Sequence, residues 1–157
     1  MAPFPDKVIS GGQTGVDRAA LDVALALAIP CGGWCPKGRL AEDGAIPERY
    51  PLTETASADY DQRTRLNVRD SDATLILNSG PLAGGTLRTI ELARDTARPC
   101  FVVDLDPPPV PDAAAAWLEQ VRPRVLNVAG PRESKRPGVH DAAAAYLRAL
   151  FAVTPPT

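Results

Sequence analysis

Histidine and cysteine are scarce in this chain of 157 residues, which holds one histidine, His140, and three cysteines, Cys31, Cys35 and Cys100. Three cysteines cannot make a disulfide framework. Cys31 and Cys35 stand C-x3-C with no second pair, so the ligand set for a four-coordinate zinc is missing and no structural metal is expected. Small thiols at strand ends in a reducing compartment are the simplest reading. The single histidine, placed where the last helix should begin, suits a capping role and leaves no nucleophilic triad. Also missing is any run near the ~20 apolar residues of a membrane helix. The opening Met-Ala-Pro-Phe-Pro-Asp lacks the basic-then-apolar pattern of a secretion signal, so the expected address is the cytoplasm, away from the membrane. Nor is there a charge excess. Seventeen basic residues against nineteen acidic ones give a net charge of -2, which excludes a broad nucleic-acid surface but leaves room for a local basic pocket. Internal repeats and low-complexity runs are absent.

What is present is an ordinary globular composition, 45% hydrophobic and 23% charged. The length fits one domain, expected over 1–157, with a core large enough to need neither disulfide nor metal. Proline is plentiful at 17 and falls mostly between periodic segments, as punctuation does. Lys7 to Ser10 is a short apolar strand. Gln13 to Ala28 carries Val16, Ala20, Val23, Ala24 and Leu27 at helical spacing, and Pro30 ends it. Cys31 to Cys35 predicts a second strand. Pro36 to Ser57 is a long polar connection of the kind that is usually functional or flexible. A helix with a weak apolar face is predicted over Asp59 to Asp70. Then come Ala73 to Leu77 as a buried strand, a helix over Gly84 to Ala97, and a strand over Cys100 to Leu105. A helix over Pro111 to Val121, a strand over Arg124 to Val128 and a helix over Val139 to Ala152 complete the chain. Strands alternating with amphipathic helices predict an α/β fold: a Rossmann-like, doubly wound parallel sheet of about five strands with helices on both faces. The first helix has a second apolar set, Leu21, Leu25 and Ala28, which predicts burial on two sides and hence a homo-oligomer.

In an open α/β sheet the ligand lies beyond the carboxyl ends of the strands, where strand order reverses. For the common order 2-1-3-4-5 that point falls between the first and third strands. Both of these strands lead into helices through glycine-rich loops. The first offers Gly11, Gly12, Gln13, Thr14 and Gly15; the second offers Gly84, Gly85 and Thr86. Glycines let a ligand approach the backbone, and the opening N–H groups of each helix favour an anion. Arg18 sits in the first turn of its helix, where a cation is mismatched to the dipole. A bound anion would relieve that, and so would pairing with Asp17 or Asp43. Asn127 to Arg136 follows the fifth strand and carries Arg132, Ser134, Lys135 and Arg136. The long connection adds Lys37-Gly38-Arg39 and Glu42-Asp43-Gly44. Arg63 and Asn67 share one helix face, turned toward a ligand or toward water. Glu91, two turns into its helix, could serve a sugar hydroxyl or act as an acid/base, or simply pair with a surface neighbour such as Arg94.

The segments SGGQTGVDRAALDVAL, GGWCPKGRLAEDG, IPERYPLTET, NVRDSDATLIL, GPLAGGT and LNVAGPRES, in this order, resemble the molybdenum-carrier family, the circularly permuted YpsA branch of the SLOG superfamily. The resemblance spans about Lys7 to Leu150. It implies a Rossmann-like nucleotide-binding fold, assembly as a homo-oligomer (dimer or tetramer), and binding of molybdenum cofactor, a phosphorylated pyranopterin, as cargo. The superfamily also includes the Lonely-guy phosphoribohydrolases, whose motif reads P-G-G-x-G-T-x-x-E. Gly84, Gly85 and Glu91 keep that spacing, while the inner G-T is absent. The leading expectation is therefore a carrier for a phosphorylated, nucleotide-like small molecule. It would be held by Gly11, Gly12, Gln13, Thr14, Gly15, Arg18, Lys37, Gly84, Gly85, Thr86, Arg132 and Ser134. The alternatives are a nucleoside monophosphate N-glycosidase using Glu91 and a sensor of a nucleotide signal.

Overall fold

A computed structural model describes residues 5–152. The ends of the domain expected over 1–157, residues 1–4 and 153–157, lie outside the described residues. The elements run β1 (Lys7–Ile9), α1 (Val16–Ala26), β2 (Cys31–Gly32), β3 (Trp34–Cys35), β4 (Leu40–Ala41), β5 (Gly44–Ala45), β6 (Thr53–Glu54), α2 (Tyr60–Arg69), β7 (Ala73–Asn78), α3 (Gly84–Asp95), β8 (Cys100–Asp104), α4 (Asp112–Val121), β9 (Val125–Ala129) and α5 (Val139–Ala152).

Five of the strands form one parallel sheet in the order β2-β1-β9-β7-β8. The α/β class is as expected from the alternation, but the strand order is not 2-1-3-4-5. The last sheet strand, β9, is inserted between β1 and β7, pairing Val8 with Leu126 on one side and Ala73 with Leu126 on the other. A strand long enough for both neighbours can fill this central place whatever its position in the chain, and periodicity alone does not reveal it.

The two faces of the sheet differ. Val8, Leu75, Leu77, Leu126 and Val128 point to one side, where α1, α4 and α5 cover them with Val16, Val23, Ala24, Leu118, Leu147 and Leu150. Each such side chain, when fully buried, contributes roughly 1.5–3 kcal/mol. Alternation along β7 and β9 sends Thr74, Asn78 and Asn127 to the other side, where Asn127 Nδ2 donates to Thr74 Oγ1 at 3.3 Å. There α2 and α3 pack on each other, and their apolar cluster is small: Val68, Leu92 and Ala93 with Cys100. The helix connecting β1 to β2 and the helix connecting β7 to β8 therefore lie on opposite faces, as right-handed crossovers running in opposite directions require.

Two further expectations change. The strand predicted over Cys31 to Cys35 is divided at Gly33, whose φ of +127° only glycine adopts with ease. Its first half joins the main sheet, while β3 pairs with β6 in a separate two-stranded sheet. The long polar connection is also structured. It contains the antiparallel β4–β5 hairpin and buries Ile46 and Tyr50 against Leu21 and Cys35. Leu21, one of the residues read as a subunit contact, is thus covered by the chain's own connection, while Leu25 stays 43% exposed. Arg39, one of the basic residues of the long connection, donates to the carbonyls of Ile46, Pro47, Tyr50 and Leu52 and holds that segment in place.

Candidate binding cleft

A cleft of about 450 Å³ opens at the carboxyl ends of β1, β9 and β7, on the face covered by α2 and α3. It occupies the reversal point of the sheet, widened by one strand because β9 lies between the two strands that diverge. The floor is polar. Asn127 and Asn78 come from the strands, and Thr86 and Thr89 from α3. Arg63 reaches in from α2, and its guanidinium Nη1 donates to the Gly11 carbonyl at 2.7 Å. Asn67, one turn further, exchanges hydrogen bonds with the backbone of Trp34 and so fixes α2 against β3. Of the two outcomes open for that helix face, the inward one is realised, with both residues buried.

Five cations line the cleft, Arg63, Arg88, Arg132, Lys135 and Arg136, against two carboxylates, Asp17 and Asp61. Arg88 is neutralised by Asp61 at 2.9 Å. Arg63 lies 3.8 Å from Asp17. Arg136 meets only carbonyls, those of Ser79 at 2.6 Å and Lys135 at 2.8 Å. The Lys135 ammonium has no hydrogen bond or ion pair with the described residues, and it lies 3.2 Å from where a Cβ on Gly84 would stand. Burial pushes the Asp17 carboxyl up, against the opposing pull of Arg63, the Gln13 N–H and Ser10. A buried carboxyl of this kind can accept from, or share a proton with, a polar ligand edge.

The sequence candidates divide into groups. Gly11, Gln13, Gly85, Thr86 and Arg132 line the cleft. Gly84 stands at its edge, opening α3. That helix has no side-chain cap, and the N–H groups of Gly84, Gly85 and Thr86 point out unpaired among the described residues. The first loop is different, because part of it is already engaged: the Gln13 N–H donates to Asp17 and the Thr14 N–H to Gln13 Oε1. Gly12 packs on Ile46 and Leu52, Gly15 packs on the backbone of Pro131 to Glu133, and the Val16 N–H donates to the Pro131 carbonyl at 3.2 Å. Arg18 forms a bidentate pair with Asp43, with Nη2 to Oδ1 at 2.7 Å, and its Nε donates to the Gly12 carbonyl. Thr14 and Ser134 sit outside the cleft and both donate to Glu42. Lys37 is exposed on the long connection, and Glu91, half-buried on α3, is not among the lining residues. His140 does not cap α5. Glu133 does so, accepting from the Gly138 and His140 N–H groups, while the His140 ring reaches Asp22 on α1 at 2.8 Å.

Sequence reasoning missed Asp17, Asn78, Asn127, Arg88 and Tyr60 as lining groups. A signal existed for two of them: Asn78 and Asn127 interrupt apolar strands that are buried on both faces, where a polar residue must have a partner. Among the described residues, no group of three or more His, Cys, Asp or Glu side chains could hold a metal ion.

Fold and cleft together define an open α/β protein with a polar, cation-lined cleft at the strand-order reversal. The chain matches the model of the circularly permutated YpsA SLOG family over residues 8–151 and belongs to that family. It is similar to a solved structure from Syntrophus aciditrophicus SB named "Putative molybdenum carrier protein", with 48% identity, a TM-score of 0.90, and coverage of 94% of this chain and 96% of that one. No curated protein matches. No described helix is long and apolar enough to cross a membrane.

Proposed function

We propose that this protein is a carrier that binds a phosphorylated, nucleotide-like small molecule in the cleft, with molybdenum cofactor as the leading ligand. The observation that carries this reading is the surplus of cations. Among the described residues, Lys135 and Arg136 have no carboxylate partner; Lys135 stands beside the uncapped start of α3 at Gly84, and Arg136 lies on the preceding loop at Ser79 and Gly80. A phosphate there would meet a helix N-terminus and two positive charges at once. The polar floor suits the other end of such a ligand. Asn78, Asn127 and the Asp17 carboxyl offer donors and acceptors to the amino and oxo groups of a pterin or purine edge. The volume of about 450 Å³ fits a ligand of that size. The naming of the Syntrophus aciditrophicus relative supports the choice of molybdenum cofactor. Three free thiols suit a reducing cytoplasm. A homo-oligomer remains part of the proposal, with exposed Leu25 and Leu27 at the end of α1 as surface for it.

The glycosidase alternative assigned acid/base chemistry to Glu91, and the carboxyls in the cleft are instead Asp17 and Asp61. Glu91→Gln is therefore expected to leave ligand binding unchanged. The test of the reading is mass spectrometry of the small molecule that co-purifies from cells making the pterin cofactor, together with a chromatographic assay for free base from nucleoside monophosphates. A bound pterin without base release supports the carrier. Base release that depends on a carboxyl of the cleft would overturn it in favour of the hydrolase.

A further inference from the structure

The tip of the β4–β5 hairpin carries two carboxylates, Glu42 and Asp43, and each sits on groups suited to an anion. Glu42 accepts hydrogen bonds from the Thr14 hydroxyl, from the Ser134 hydroxyl and from the Ser134 N–H at 3.1 Å. The Arg132 Nε lies 3.5 Å away. Two hydroxyls, a backbone N–H and a guanidinium, supplied by two different loops, form the donor set that proteins turn toward a tetrahedral oxyanion. The fit of a carboxylate to this set is incomplete. The Arg132 side chain is partly exposed, but its Nε is closed off from solvent and makes no hydrogen bond, which leaves one covered donor unmatched. A flat group with two oxygens leaves that donor unsatisfied, whereas the third oxygen of a phosphate would reach it.

The hairpin is lightly attached. Its strands are two residues each, Leu40, Gly44 and Ala45 are exposed, and only Ala41 is buried. Asp43 holds the tip through a bidentate pair with the largely buried Arg18, while Asp43 itself is half exposed. Burial pushes the Glu42 carboxyl up, but the bonds from Ser134 and Thr14 outweigh it and hold the group below the usual carboxylate range, so it is an anion at neutral pH. The subsite borders the cleft directly, because Arg132 and Gln13 line it and Gln13 Oε1 accepts from the Glu42 N–H at 2.9 Å.

We infer that Glu42 is the chain's own stand-in for a ligand oxyanion: Thr14, Ser134 and Arg132 form a second oxyanion subsite at the rim of the cleft, which a phosphate group takes by displacing the hairpin tip. The ligand class is a phosphate monoester or inorganic phosphate. This rests on the reading that the cleft takes a phosphorylated ligand, and it gives that ligand a gate. The hairpin closes the site with a carboxylate when no phosphate is present and gives way when one arrives.

The test is calorimetric titration of the full chain with inorganic phosphate, and separately with a nucleoside monophosphate. Removing a competing carboxylate exposes charge-assisted donors, so Glu42→Ala should bind inorganic phosphate about ten-fold tighter than wild type, or more. Adding Ser134→Ala to that variant should reverse the gain. A purely structural Glu42 gives the opposite sign, because losing the tie between the loops would leave phosphate affinity unchanged or weaker, and that result overturns the inference. Glu42→Gln guards against a folding failure. It keeps a neutral acceptor in place and is expected to tighten phosphate as well, and an unchanged affinity there counts equally against the idea. If nucleoside monophosphate binds wild type but phosphate affinity ignores Glu42, the subsite falls and the cleft reading stands. If neither molybdenum cofactor nor the monophosphate binds wild type while Glu42→Ala takes up phosphate in a Ser134-dependent way, the subsite stands and the cleft reading falls.

Discussion

Lys135→Ala separates binding from stability more cleanly than any other change in the cleft. The ammonium group has no partner among the described residues and is one of five cations facing two carboxylates. Its removal breaks nothing in the folded chain and lowers repulsion, so stability should change by no more than ~0.5 kcal/mol. A phosphate at the start of α3 would, however, lose a direct charge. At about 4 Å a unit charge pair is worth ~1 kcal/mol in bulk water and ~4 kcal/mol near a protein surface. Because Lys135 is exposed, the lower part of that range applies, about 1.5 kcal/mol, or roughly ten-fold in affinity. The assay is calorimetric titration with molybdenum cofactor or a nucleoside monophosphate at low and high salt, with urea unfolding alongside. The difference between wild type and variant should shrink as salt screens the pair. Equal affinity at low salt would show that no phosphate sits beside α3, and the cation surplus would then need another explanation. A variant that loses both binding and stability would mean that Lys135 has a structural partner.

The remaining predictions concern the frame that holds the cleft. Gly130→Ala should destabilise by about 2 kcal/mol or more, because a Cβ there would stand 2.1 Å from the Leu77 carbonyl and 2.6 Å from Val16. Gly85→Ala meets nothing within 4 Å and should match or exceed wild-type stability by about 0.5–1 kcal/mol, as thermal melts will read directly. Leu21→Ala should cost about 2–5 kcal/mol by opening a void under the long connection, measured by urea midpoint. His140 is pushed down by burial, but the hydrogen bonds to Asp22 and Asp141 outweigh this and raise its pKa. Its contribution to stability is therefore complete below the ordinary imidazole value and lost as pH rises through the raised folded value. The stability gap between wild type and His140→Gln should be wide at about pH 6 and close by about pH 9. The chain's single histidine gives an unambiguous proton resonance for the same titration.

The layered fold was legible because its signals are local. β7 reads as a buried strand with a strong apolar run at Leu75 to Leu77, and α1 and α5 carry their buried residues at helical spacing. What could not be read is anything that depends on which strand neighbours which. The place of β9 is such a case, and it decides how the loops meet. The glycines were legible as glycines but not as contacts. Gly12 and Gly15 are needed for close packing on Leu52 and Pro131 and carry φ near +80°, Gly84 also has a positive φ but meets only the Lys135 ammonium, and Gly85 faces open space. Arg18 followed the same logic. Its mismatch with the helix dipole was visible in the sequence, with a bound anion, Asp17 or Asp43 as ways to relieve it; the choice of Asp43, 25 residues away, was not, because it depends on how the long connection folds back. Arg63 was correctly paired with Asn67 on one face, yet its direction depended on the Gly11 carbonyl, which no pattern in α2 reveals.

Inserting β9 at the centre also accounts for the unequal faces of the sheet. In a doubly wound sheet both faces are normally apolar, because helices cover both. Here the loop that follows β9 must enter the reversal point, and the strand itself becomes the floor of the cleft. On that side Asn127 and Asn78 stand where a sheet covered on both faces would carry apolar residues, and they make the floor polar. The helix above them changes accordingly. The residues that α2 buries are Arg63, Asn67 and Val68, so its inner face is mostly hydrogen-bonding groups. Little hydrophobic burial then remains to hold α2, and its attachment falls to specific bonds: Asn67 to the Trp34 backbone, Trp34 Nε1 to Asp70, and Arg88 of α3 to Asp61. Bonds of this kind have definite geometry and small net energy. α2 is therefore positioned by bonds of definite geometry more than by apolar burial, in contrast to the face packed on α1 and α5.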